Sequence, residues 1–230
     1  MEAAKLGPIF DLQCKHRANV NPMFAKPSFR TAVLLGLQHT RGTPVFGKLL
    51  LGFVLTILPT GAGFAQQGAV DLQGRSVDPL RVYSGKVVVL IFVRKDCPIS
   101  GRYAPTIQRI SSEHQQNVRF ILVFPDKSES AADVRNYISD FRYSIPVMRD
   151  PSHALVKEAH AEFTPEAAVF NAKGALVYHG RIDNLYVSFG RARIAPTTHE
   201  LEDAISAALA GRAPAKTEVA GIGCYISDVE

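Results

Sequence analysis

The chain has 230 residues, 47% hydrophobic and 20% charged, an ordinary globular composition with enough apolar mass for one well-cored domain. Residues 1–65 hold seven of the 26 Lys/Arg and two of the 21 Asp/Glu, so residues 66–230 keep 19 of each and are formally neutral. The overall +5 therefore belongs to the first third of the chain, and composition gives no basic face for nucleic acid.

Residues 1–47 carry scattered proline and basic residues without sustained periodicity, which points to a disordered leader or an extension from a mis-assigned start. Residues 48–65 follow. Here Arg41 and Lys48 precede the apolar run Leu49–Leu58, and small residues end it at Gly63-Phe64-Ala65. That is the order of a secretory signal, and the run is short of the roughly 20 apolar residues a membrane span needs. The sequence thus predicts export to the periplasm or another extracytoplasmic space. Membrane contact is expected only through this segment if it stays uncleaved. N-terminal sequencing of the mature protein reads the cleavage point. Cys14 falls in the leader, leaving Cys97 and Cys224 in a compartment where thiols pair or cycle.

The domain is expected over residues 66–211. Val87–Val93 is a continuous apolar run of strand length, and Ile99, Tyr103, Ile107 and Ile110 form one stripe of a first helix. Between them lies Asp96-Cys97-Pro98-Ile99-Ser100. A thiol at a helix N-terminus faces unpaired N–H groups and the positive end of the helix dipole, which favour the nucleophilic thiolate. Pro98 suits the first helical turn.

Val118–Phe124 reads as a second buried strand. Ser128 and Ser130 are candidate N-caps for a second helix bearing Val134, Tyr137, Ile138 and Phe141. Pro146–Met148 is short and extended, and Asp150-Pro151 opens a helix to about Ala161. Ala167–Phe170, Asn171–Gly174 and Leu176–His179 read as a hairpin. Residues 180–196 form a long irregular loop. Thr197–Glu200 has capping-box spacing before a last helix that stops at Gly211. Residues 212–230 are expected as a flexible tail carrying Cys224 between glycines.

This order, with a cysteine at the first strand-to-helix junction and Thr164-Pro165 before the hairpin, resembles the thioredoxin fold. More narrowly it resembles the redoxin branch, the alkyl hydroperoxide reductase/thiol-specific antioxidant proteins. The matching landmarks are Asp96–Ser100, Arg149-Asp150-Pro151 and Thr164-Pro165-Glu166, and the similarity runs from about Val70 to Gly211. The resemblance implies an α/β three-layer sandwich with a central mixed β-sheet and helices on both faces. It also implies that Cys97 attacks, and that Pro165 is cis and packs beside it, exposing the preceding backbone to an extended partner chain.

Two departures stand out. Ser100 occupies the second cysteine position of a Cys-x-x-Cys motif, so no local disulfide forms. Leu90 and Arg94 stand where peroxiredoxins carry proline and threonine, leaving a peroxide site only the charge of Arg94 or Arg149.

The candidate catalytic set is therefore Cys97, Ser100, Thr164, Pro165, Arg149 and Cys224. The last is expected to resolve an oxidised Cys97, to form a static bond, or to stay unpaired. Fully extended, the tail from Ala210 reaches about 45 Å, against a radius of gyration near 15 Å for a domain of this size. A bond between residues 97 and 224 would stabilise the fold by about 5 kcal/mol in the chain-entropy model. Arg181, Asp183, Arg191 and Arg193 either line a partner groove or form surface ion pairs. His114, His153, His160, His179 and His199 show no metal-ligand spacing, so neither cofactor nor metal is expected.

The leading expectation is thiol–disulfide exchange with protein thiols or disulfides, served by an external thiol donor. The alternatives are a peroxiredoxin-like reductase of a small peroxide, and a copper-binding or redox-silent interaction module. Copper carriers of this fold use two nearby cysteines and a distant histidine.

Overall fold

Every residue of Val87–Phe92 is apolar and buried, so this segment requires packed structure on both of its sides. The computed structural model describes residues 68–227 and makes this segment, β1, a central strand. The leader, Cys14 and the signal segment lie outside the described residues. Ahead of β1 is the single-turn helix α1 (Pro79–Val82). After it come α2 (Pro98–His114), β2 (Val118–Phe124), α3 (Ala131–Phe141), β3 (Val147–Arg149), α4 (Ala154–Ala159), β4 (Phe163–Thr164), β5 (Glu166–Phe170) and β6 (Leu176–Gly180). The chain continues through β7 (Tyr186–Ser188), β8 (Arg191–Ala192), α5 (Glu200–Leu209), β9 (Glu218–Val219) and β10 (Cys224–Tyr225).

Among the described residues, six strands form one mixed sheet in the order β3-β2-β1-β5-β6-β9. The pairs β1–β2 and β2–β3 are parallel, β1–β5 and β5–β6 antiparallel, and β6–β9 parallel. Strand alternation splits β1 between two cores. Val87, Val89 and Ile91 join the apolar stripe of α2 and residues of α3 and α5. Val88, Leu90 and Phe92 face α4, with Leu80 of α1 alongside. This is the three-layer mixed-sheet sandwich expected from the sequence.

Most elements fall where the patterning puts them, and the differences have local causes. Ser130 caps α3 in a full capping box with Asp133, while Ser128 sits in the preceding turn, bonded to Asp126. Pro151 does not start α4. It lies in a turn, and the Asp150 carboxylate reaches past it to accept the N–H groups of Ala154 and Val156 at 2.9 and 3.0 Å. The Thr197–Glu200 capping box does not form. Asn184 Oδ1 accepts the N–H groups of Thr197 and Thr198 instead, and the Glu200 carboxylate turns to Arg181. Residues 180–196 contain the β7–β8 ribbon rather than only loop.

The largest difference is after Gly211, where a flexible tail was expected. Here β9 extends the sheet beside β6, and β10 pairs with β4. Gly180, at φ 139°, permits the first contact, because a Cβ there would meet the Val219 oxygen at 2.0 Å. We call residues 216–227 the strap.

Candidate functional site

The site forms where β1 hands the chain to α2. Val93 continues the sheet by donating its N–H to Val123 O at 2.9 Å. Lys95 donates its N–H to the buried Glu129 carboxylate at 2.6 Å, which fixes the turn. Cys97 then takes the extended N-cap conformation and Pro98 the first helical position. Its thiol makes no capping bond to the helix, so Ser100 acts on it as aimed dipoles, through both its N–H and its hydroxyl. The Ser100 hydroxyl also accepts the Arg94 N–H at 3.4 Å, a weak tie across the turn.

Against the sulfur lies the end of β4. The Thr164–Pro165 bond is cis, and Thr164 O accepts the Cys97 S–H at 3.0 Å. Over the same residue lies the strap, with Cys224 paired opposite Thr164 and Tyr225 opposite Phe163 in antiparallel register. The Thr164 hydroxyl donates to Cys224 O at 3.3 Å, and the Ile226 N–H donates to Glu162 O at 2.9 Å. Tyr225 meets the Phe163 ring edge-on at 5.8 Å, and Ile226 is buried in the α4-side core. On the other side of Cys224, Ile222 reaches a small hollow shared with Tyr103, Pro165, Asp183 and Tyr186.

The electrostatic outcome is a strongly acidic thiol. A hydrogen bond from the Cys224 thiol is the largest influence on Cys97. It and the Ser100 groups outweigh burial, bringing the pKa down to about 5. The Thr164 carbonyl works the other way, since it accepts from the thiol form only. The two sulfurs are not joined by a disulfide.

Cys97, Ser100, Thr164, Pro165 and Cys224 thus come together. Arg149 does not. It ends β3, with β2 between it and the strand that leads to Cys97, and it is absent from the main influences on that thiol. The charge of Arg94 is engaged by Asp126, with Nη2 to Oδ2 at 2.7 Å, and Lys95 pairs with Asp133 at 3.0 Å. Arg181 and Asp183 do not pair with each other. Arg181 binds Glu200, and Asp183 accepts the Tyr103 hydroxyl at 2.6 Å beneath the Pro165 hollow.

Cys97 itself is 1% exposed, less than a reactive thiol leads one to expect. It belongs to the α2-side apolar core, against which Ile222 and Cys224 of the strap pack. Glu129 escaped the sequence reading because it stands in a polar turn that resembles solvated surface. It is 1% exposed, and burial raises its pKa to about 7.

Among the described residues, no group of three or more His, Cys, Asp or Glu is arranged to hold a metal ion, and no helix is long and apolar enough to cross a membrane.

The redoxin family model matches residues 59–186, more than half of the chain. A hypothetical protein from Sinorhizobium meliloti 1021 has a similar structure, at TM-score 0.59 and 21% identity, over 69% of this chain and 88% of that one. An uncharacterized conserved protein from Geobacillus kaustophilus is similar at TM-score 0.60 and 21% identity, over 69% and 86%. A secreted Mycobacterium tuberculosis disulfide oxidoreductase matches more loosely, at TM-score 0.44 and 18% identity, over 64% and 96%. No curated protein matches the chain.

Proposed function

We propose, for a chain that belongs to the redoxin family, a thiol–disulfide oxidoreductase whose redox pair is Cys97 and Cys224. The observation that carries this reading is the register of β10 on β4, which sets Cys224 opposite the residue whose carbonyl accepts the Cys97 thiol. Ser100 fills the second position of the local motif, and the strap supplies from sequence position 224 the second sulfur that the motif lacks.

The Cys97 thiolate attacks one sulfur of a client disulfide. A mixed disulfide forms and the other client sulfur leaves as thiolate, which takes a proton from water. Cys224, deprotonated, then attacks the Cys97 sulfur, forms the intramolecular bond and releases the second client thiol. The client gains two electrons and two protons, and the Cys97–Cys224 disulfide holds the oxidation until an external thiol donor reverses it. Ser100 and the start of α2 hold the thiolate between steps. Export through residues 48–65 belongs to the same proposal.

The peroxide alternative finds less support, because Leu90 faces the α4-side core and Arg94 is tied to Asp126. The copper alternative gains a second thiol from the strap but has no third ligand grouped with it among the described residues.

The test is reaction of the reduced protein with a small disulfide, followed by mass spectrometry. Wild type should end with Cys97 and Cys224 joined. Cys224→Ser should stop at the mixed disulfide on Cys97, and Cys97→Ser should react at background rate. A stable adduct on wild-type Cys97 would contradict the reading.

A further inference from the structure

We propose that Gly223 is the positioning residue of this site, the one position where the strap is thin enough for Cys224 to reach Cys97 across the Thr164 carbonyl. This rests on the reading of Cys97 and Cys224 as a redox pair.

The argument is steric. A Cβ on Gly223 would stand 2.1 Å from Thr164 O, 2.7 Å from Thr164 C and 3.2 Å from Pro165 N. These are backbone atoms, held from the other side by the Cys97 thiol at 3.0 Å and by β5, which begins at Glu166. No side chain can swing away to make room. Gly223 is not among the residues with positive φ, so what demands glycine here is close approach rather than backbone conformation.

Gly221 supplies the contrast two residues earlier on the same strap. A Cβ there would meet Phe163 Cβ at 3.4 Å and Glu166 Cδ at 3.7 Å, ordinary contact distances. The two glycines flank the same apolar residue, Ile222, yet only one of them sits where a methyl group cannot fit.

With any side chain at 223, β10 must lift from β4. The register that pairs Cys224 with Thr164 is then lost, and with it the delivery of the second sulfur. The fold itself is expected to survive, because the two sheet faces are filled mainly by residues outside the strap. Cys97 loses its hydrogen-bond donor, and the side of its core against which Ile222 and Cys224 pack is opened.

The experiment uses the full chain, reduced and then mixed with oxidised glutathione. In wild type, glutathione adds to Cys97, Cys224 displaces it, and the protein ends as the internal disulfide with two molecules of reduced glutathione released. Gly223→Ala should close that bond at least tenfold more slowly and accumulate the glutathione adduct on Cys97, while Gly221→Ala closes at close to the wild-type rate. The pH profile of Cys97 alkylation supplies a readout that loss of stability alone would not move. In Gly223→Ala its midpoint should rise by about two pH units toward the free-thiol value near 8.5, and its high-pH plateau should increase.

If Gly223→Ala does not fold, one glycine inserted after Gly223 keeps a flat residue over Thr164 but turns the thiol to the opposite face. The same slow closure is then expected. Wild-type closure rates and an unchanged pH profile in the folded variant would overturn the positioning role and leave the redox pair standing. Failure of wild type to form the internal bond would instead overturn the pair itself.

Discussion

At the scale of single residues, Cys97 was legible because everything that marks it is local: a strand end, a helix start and Pro98. The route that brings Cys224, already a candidate partner, against it was not. The Cys224 thiol arrives through a strand pairing between residues sixty positions apart, and no periodicity announces a two-residue strand. Arg149, part of the landmark Arg149-Asp150-Pro151, ends a strand separated from β1 by β2 and is absent from the main influences on the Cys97 thiol. Three substitutions separate these roles. Ser100→Ala should raise the Cys97 midpoint in pH-dependent alkylation, by less than Cys224→Ala does, because the Ser100 hydroxyl influences the thiol less than the Cys224 thiol does. Arg149→Gln should leave the midpoint where it is.

Among the elements, the long periodic segments were readable from sequence and the short ones were not. The buried strands β1 and β2 and the helix α2 rest on unbroken apolar runs or a four-position stripe, signals that survive any context. The strands β4, β7, β8, β9 and β10 are two or three residues long and exist only because a partner lies alongside. At α5 the expected cap gave way to Asn184, fifteen residues upstream of His199 at the N-cap, a tertiary contact that no local spacing encodes.

The docking edge β4 has its own titratable support. Glu166 Oε2 accepts the N–H groups of Glu162 and Phe163 at 2.7 and 2.8 Å, and burial pushes its pKa up to about 7. A carboxyl raised on folding stabilises most when protonated. Its contribution is complete below the unfolded value near 4.3 and is lost as pH rises through about 7. Thermal unfolding should therefore show a Tm that falls by a few degrees between pH 5 and pH 8. Glu166→Gln, whose amide oxygen keeps both N–H bonds without ionising, should flatten that fall relative to wild type. Glu129 is raised to the same region and leaves a residual slope in the variant.

For the whole molecule, composition and element order were enough to predict a mixed sheet covered on both faces, and the two cores show why. An apolar strand buried throughout must be covered twice, and the alternating residues of β1 divide between those covers. What the order of elements left out is how the end of the chain returns to its first strand-to-helix junction. The strap crosses the sheet edge at β9, passes Ile222 beside Pro165 and buries Ile226 on the α4 side, so residues 97 and 224 share one environment.

The central claim is that this closure holds Cys97 as a thiolate ready to react. Its most direct test is the rate of Cys97 alkylation against pH, in wild type and in Cys224→Ala. The account predicts a wild-type midpoint near 5 that moves up by at least one pH unit when the Cys224 sulfur is replaced. A wild-type midpoint at or above about 8.5, or one unmoved by the substitution, would contradict it.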